Sequence, residues 1–266
     1  MQVTASQKPV AKKTWRLSNN LWILYLISIL IGIAIWTYAA YSDSRNLLPP
    51  PLTVLNKFIE LWNNGTLLEN TVASVQRVLI GFTLGVLLAI PVGFLMGWYT
   101  IARGVVEPWV QFLRTIPPIA LSPLVIIFMG IGELPKIFLI FMAVFLGSSI
   151  ATFQGVRNVD VTLIKAAQVL GAKDATIFRA VVVPAAFPYI LVGMRISLGS
   201  AWGTLVAAEL IAAQTGLGQM MQGAALYFQV PTIMVGIIMI GVLGTVMDRI
   251  VLYLEGRLTS WQEKKA

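Results

Sequence analysis

Ser197, Ser200 and Thr204 recur at i, i+3 and i+7, a spacing that sets three hydroxyls on one face of a helix. Arg195 precedes them, Trp202 lies among them, and Glu209 and Gln214 follow; Ser148 and Ser149 add two hydroxyls from an earlier segment. A cation, hydroxyls and an indole N–H suit weak, passing contact with a small polar or anionic solute. They do not suit bond-breaking. The chain has no histidine, the commonest general base and metal ligand, and no cysteine. No G-x-x-x-x-G-K-[ST] occurs, so there is no phosphate-cradling loop. Catalysis by this chain alone is not expected, and neither a catalytic residue nor a metal ligand is assigned.

The elements that must position these groups are membrane helices. Of 266 residues, 58% are hydrophobic and 11% charged, against roughly 25% charged in soluble domains. Apolar runs of about 20 residues recur, each long enough to span a bilayer core. The weak alternation of a membrane barrel is absent. The expected fold is all-α and polytopic, with spans near 21–40, 78–99, 107–131, 137–153, 185–210 and 233–254. The first run exceeds the h-region of a signal peptide and reads as an uncleaved helix. After Pro49-Pro50-Pro51, the apolar Val54, Phe58, Ile59, Leu61 and Trp62 alternate with Asn56, Lys57 and Glu60 as in an interfacial amphipathic helix. Pro91 is expected to kink the second span, and Pro117-Pro118 to split the third into two half-helices. Residues 132–136 read as a turn.

The net charge of +8 reflects basic residues gathered in particular loops rather than a nucleic-acid surface. Six spans put both termini on one side. Thirteen basic residues then fall on that side: Lys8, Lys12, Lys13, Arg16, Arg103, Arg114, Arg157, Lys165, Lys173, Arg179, Arg257, Lys264 and Lys265. Four fall opposite: Arg45, Lys57, Arg77 and Lys136. The positive-inside rule makes the first side cytoplasmic. The expected organisation is a cytoplasmic tail over 1–20, a membrane domain over 21–254 and a cytoplasmic tail over 255–266.

Residues 154–184 form a polar island between apolar spans. Residues 162–170 read as a short helix with Asp160 or Thr162 as cap and Gly171 as stop. A second helix is expected over 173–183, ended by Pro184. Ala166 and Leu170 share one helical face, as do Ala167 and Gly171. Small side chains there let another backbone approach, with Lys165, Lys173, Asp174 and Arg179 as a polar rim.

Within the island, Ala166, Ala167, Gly171, Val181, Val183 and Pro184 fall on the spacing E-A-A, three residues, Gly, nine residues, I-x-L-P. This resembles the EAA loop of bacterial ABC-importer permeases, with Lys165 where that family usually has Glu. Leu48 to Pro51 followed by Val54, Arg114 to Pro118, Gly130 to Glu133, Leu205 to Ala213 and Gly216-Leu217-Gly218 also resemble the branch importing taurine, other sulfonates, nitrate or bicarbonate. The run Val206 to Ala213 and Leu258-Thr259 with Trp261 look closest to taurine permeases. The resemblance covers nearly all of residues 48–262.

It implies a homodimer in the bacterial inner membrane, of the type I importer architecture with cytoplasmic coupling helices. It also implies two separate ATP-binding cassette subunits that bind ATP and Mg, and a periplasmic or lipid-anchored substrate-binding protein. Lys165, Ala166, Ala167, Leu170, Gly171, Ala172, Lys173 and Asp174 would then contact the ATPase. This chain itself would hold no cofactor.

The path residues keep two readings. Arg195 either attracts an anionic solute or forms a structural ion pair, with Glu107 or Asp248 as partner, or snorkels toward the cytoplasm; the structural reading is favoured. Glu209 reads as structural, pairing or gating. The hydroxyls of Ser148, Ser149, Ser197, Ser200 and Thr204, with Trp202, either line a pore or pack helices. Gln214, Gln219 and Gln222 belong to a gate, a dock for the binding protein or an ordinary re-entrant loop. Two rival functions remain: the same architecture carrying nitrate, bicarbonate or a pyrimidine precursor, and an ion-coupled transporter or channel, for which Asp248 and Glu209 are the available carboxylates.

Overall fold

The computed structural model describes residues 21–43 and 47–259. The basic residues Lys8, Lys12, Lys13, Arg16, Arg45, Lys264 and Lys265, and Trp261, lie outside them. The chain divides into two units, one ending at Thr53 and one beginning at Val54. The first contains α1 (Leu21–Ser42), apolar on every face as a membrane span requires. The Trp36 indole donates to the Pro49 carbonyl at 3.1 Å, and the Asp43 carboxylate accepts from the N–H groups of Leu47 and Leu48. Helix α2 (Pro51–Asn63) opens on a proline, tolerated there because the first turn needs no N–H. In the second unit its Val54 and Leu61 are buried, while Lys57 and Glu60 pair on the exposed side at 2.7 Å.

Helix α3 (Thr66–Trp98) begins well before the expected start of the second span. The polar Asn70, Ser74 and Arg77 share one face at i, i+4 and i+7, and all three are buried. They find partners in protein, so the helix continues where hydropathy falls. After Tyr99, α4 (Thr100–Thr115) leads into a 3-10 turn (Pro118–Leu121) and α5 (Ser122–Met129). The two arms meet at 91°. Ile116, ahead of the two prolines, takes the extended conformation that a following proline imposes. Helix α6 (Glu133–Arg157) begins inside the expected 132–136 turn, with Pro135 in its first turn.

Beyond α6 come α7 (Val161–Val169), α8 (Asp174–Ile177), a π turn (Phe178–Val182) and α9 (Val183–Ala212). The expected stop at Pro184 is corrected: Asp174 to Ile211 is one continuous 38-residue helix. A proline in an α-helix lacks its N–H and crowds the carbonyl four residues back. Here the preceding turn is wide, Val183 donating to the Phe178 carbonyl five residues back, and the ring is accommodated without a break. Helices α10 (Leu217–Leu226) and α11 (Val230–Leu258) complete the described chain. Among the described residues five helices are long and apolar enough to cross a bilayer, with a sixth crossing if the bent pair counts as one.

The packing supplies the directions. On α3, Gly81, Gly85, Ala89, Gly93 and Gly97 recur every fourth residue. A Cβ added at Gly81, Gly85, Gly93 or Gly97 would meet Ile140, Val144, Thr152 or Val156 of α6 respectively. The offset is constant, so α3 and α6 run parallel. The other face of α6 meets α9 through Gly147 against Ser197, Ala151 against Gly193 and Gly155 against Tyr189. Here the numbers run in opposite directions, so the two are antiparallel. Two parallel neighbours need one return crossing between them, which only the bent α4–α5 pair provides. Small residues let these helices approach closely where lipid offers no hydrophobic drive. Val78, Val86, Ile140, Val144, Leu198, Ala201, Trp202 and Leu205 fill the centre of the bundle.

Gly85 offers a test. A Cβ there would lie 2.8 Å from Val144 Cβ, whereas Gly104 on α4 has open space. Thermal unfolding of the purified protein in detergent is expected to show Gly85→Leu destabilised by about 1–3 kcal/mol through overpacking, with Gly104→Leu near wild type.

Candidate functional site

The α7–α8 hairpin is built from the island. Asp160 is the cap of α7, its carboxylate accepting from the Thr162 N–H at 2.8 Å. That bond holds the Asp160 carboxyl below its ordinary value. The charged cap therefore persists above the usual carboxylate range and is lost as pH falls through the lowered value. At the other end, Gly171 adopts φ +75°. The Ala172 N–H bonds the Ala167 carbonyl and the Gly171 N–H that of Gln168, the paired contacts of a Schellman stop. Ala167 and Ala172 pack inward beside Val156, Ile177 and Phe178, and Phe178 meets Phe94 and Trp98 edge-on, each at 5.4 Å. Lys165, Ala166, Gly171, Lys173 and Asp174 are exposed. So is Leu170, at 86%. The hairpin is anchored on one face and presents an apolar tip with charged flanks on the other.

At the opposite end of α9 lies a polar hub that the sequence reading missed. Glu209 is 1% exposed. One of its oxygens accepts from Ser74 at 2.8 Å and Arg77 at 2.6 Å, and the other from the Gly218 N–H at 2.8 Å. Arg77 also grips Glu133 with two nitrogens and the Thr215 carbonyl with a third contact at 2.7 Å. Lys136 reaches the same Glu133 at 2.8 Å. Asn70 accepts from Gly216 N–H and Ser74 from Leu217 N–H, so side chains of α3 and α9 satisfy the first N–H groups of α10. Gly216, at φ +130°, has no room for a Cβ against the Glu209 carboxylate. Arg77 and Lys136, expected as loop charges, are both buried within helices. For Arg77, the i, i+4, i+7 spacing with Asn70 and Ser74 on α3 was the available signal. Gln214 sits exposed beside this hub.

Arg195 is paired. Its guanidinium meets Asp248 of α11 at 2.8 and 3.0 Å, with Glu255 at 3.8 Å. Among the path hydroxyls, Ser148 and Ser197 are buried and bonded to one another at 3.0 Å between α6 and α9. Ser149 and Trp202 are buried too, and Trp202 with Arg195 and Asp248 also borders a cavity of about 450 Å³ between α9 and α11. Ser200 and Thr204, by contrast, line a cavity of about 430 Å³ with Arg114, Ile116, Pro118, Ala143, Leu146, Gly147 and Gly203. The structure thus divides the hydroxyls: Ser148 and Ser197 pack helices, while Ser200 and Thr204 face open space. Among the described residues no group of acidic side chains could hold a metal ion.

Breaking a buried ion pair from one side leaves an uncompensated charge and costs about 3–5 kcal/mol. Glu209→Ala is expected to lower stability by that order in thermal unfolding. Glu133→Gln should cost less, since the Glu133 side chain is 57% exposed.

Residues 81–260 match the family model described as the binding-protein-dependent transport system inner membrane component. A probable ABC transporter permease protein of Brucella abortus is 58% identical over 241 residues, covering 91% of this chain and 96% of that one. The taurine transport system permease protein of Escherichia coli is 37% identical over 257 residues, covering 94% and 93%. In fold, the chain resembles a solved bacterial alginate ABC transporter, at TM-score 0.58 and 16% identity over 90% of this chain and 91% of that one. The family model covers most of the chain and its relatives are transport permeases: this chain is a transport subunit and belongs to the family of inner membrane components of binding-protein-dependent transport systems.

Proposed function

We propose that this chain is the permease subunit of an ATP-driven importer that passes a small sulfonate, taurine foremost, into the cytoplasm by alternating access. The observation that carries the cargo is the 37% identity to a taurine permease across nearly the whole of both chains. In this reading two copies form the path, and the α7–α8 hairpin docks on a separate ATPase subunit that supplies ATP and Mg. A substrate-binding protein delivers solute at the opposite face; the alginate transporter was solved with such a periplasmic protein. The hairpin, the carboxyl end of α11 and both termini face the cytoplasm, in keeping with the basic residues Arg157, Lys165, Lys173 and Arg179 around the hairpin.

The lever follows from α8 and α9 being one helix. At 1.5 Å per residue its 38 residues extend about 57 Å, from the hairpin to the Glu209 hub. A partner that moves Asp174 moves the far end, with the π turn as the local soft point. Arg195 is held by Asp248 and Glu209 by Arg77, so neither is assigned to the solute; Gln214 remains a gate or docking residue.

Two experiments test this reading. Uptake of labelled taurine by the complete complex, with binding protein and ATP, is expected to saturate and to resist excess nitrate and bicarbonate; no taurine uptake by a complex that still hydrolyses ATP moves the cargo elsewhere. For the hairpin, Leu170→Asp and Gly171→Arg are expected to abolish uptake with membrane insertion intact. Gly171→Asn, which tolerates the left-handed backbone, should retain much of it. Normal uptake and ATPase co-purification by Gly171→Arg would sink the docking role.

A further inference from the structure

We infer that Arg114 is the residue that binds the sulfonate as it crosses the membrane, an assignment that rests on the importer reading above. Arg114 ends α4, immediately before the 91° bend that Pro117-Pro118 impose. Its position follows from that bend: a straight continuation would carry the chain on along the same axis, whereas the turn at Pro118 brings Ile116 and Pro118 to the edge of an open cavity between α4, α6 and α9. Arg114 is the only charged residue in the lining of that cavity. Around it stand two hydroxyl residues, Ser200 and Thr204, and Gly203, whose bare backbone leaves open space, with Gly147 at the contact to α9. The volume of about 430 Å³ lies within the range of small-molecule sites.

Of the other arginines on the bundle, Arg157, Arg179, Arg249 and Arg257 do not line this cavity, and three are engaged by carboxylates. Arg77 holds Glu209 and Glu133, Arg195 holds Asp248, and Arg103 lies 3.8 Å from Glu107 one turn along α4. Among the described residues Arg114 has no such carboxylate. Arg114, expected among the loop charges of the cytoplasmic side, instead lies in the last turn of α4, within the bent pair that forms the third span; a guanidinium there is costly unless it faces protein or water, and a cavity with one unanswered positive charge selects an anionic group. The planar fork of donors suits the three oxygens of a sulfonate, and the hydroxyls supply further donors. A single cation among weak donors holds the anion without trapping it, as conduction requires. Arg114 thereby takes the part that spacing alone offered to Arg195.

The test compares uptake of ethanesulfonate, a net anion, with taurine, a zwitterion, by the complete complex in proteoliposomes. Arg114→Gln is expected to lower ethanesulfonate uptake about tenfold, the scale of one lost charged hydrogen bond, and taurine uptake by less. Arg114→Lys, which keeps the charge, should restore most of the ethanesulfonate rate. Arg103→Gln removes a charge from the same helix outside the cavity and should leave the ratio of the two cargoes unchanged. Equal loss of both cargoes without rescue by lysine would assign Arg114 a packing role and overturn the inference, as would unchanged uptake in Arg114→Gln. If the wild-type complex carries neither sulfonate, the importer's cargo assignment fails first and takes this one with it.

Discussion

The buried pair between Arg77 and Glu209 is the interaction on which one end of this bundle depends. Two opposite charges at the end of membrane helices are tolerable only when each is fully answered. Here a single carboxylate collects a hydroxyl, a guanidinium and a backbone N–H. The guanidinium in turn ties in Glu133 and the Thr215 carbonyl. Helices α3, α6, α9 and α10 therefore meet at one electrostatic node. The need to answer these charges also explains the glycines: Gly216 and Gly218 must bring bare backbone to the carboxylate, where a side chain would displace it.

Away from the node, shape takes over from charge. The fourth-residue stripe on α3 locks against α6, and the opposite face of α6 locks against α9. Such contacts tolerate little sliding, because each small residue faces a specific larger one. One helix leaves this packed centre with both ends committed, to the node at Glu209 and to the hairpin that follows α7. The π turn at Phe178–Val182 lies where that helix emerges toward the hairpin. A rigid rod with a wide turn at its exposed end can transmit displacement while absorbing a local change of angle.

The charges of the bundle sort by whether they are neutralised. Arg195 with Asp248 and Arg77 with Glu209 cancel in place, and each pair joins two helices. Ser148 with Ser197 does the same with neutral groups. Residues spent in this way hold helices together and have little left for a passing solute. The hydroxyls that face open space, Ser200 and Thr204, lie further along the same helix, so a single element both anchors the bundle and lines its cavity.

Much of this was legible in the chain. Apolar runs must become helices in lipid, since no water is present to satisfy their backbone. The Ala166-Ala167…Gly171 pattern located the hairpin, because a glycine stop and an aspartate cap are local requirements. Pro117-Pro118 announced the break in the third span for the same local reason. Other features lay beyond local rules. Pro184 reads as a stop until the preceding turn is seen to widen. Arg77 and Lys136 read as loop charges until partners from distant segments bury them. The hydroxyl face at Ser197, Ser200 and Thr204 is a true helical face, yet one member is sealed against α6 while the others meet a cavity. The sequence by itself determined which segments are helical, where the third span bends and where the hairpin turns, because those choices are made by neighbours within a few residues. The tertiary structure alone decided which charges are spent and which are free, because cancellation depends on partners from 53 to 132 residues apart that only packing brings together.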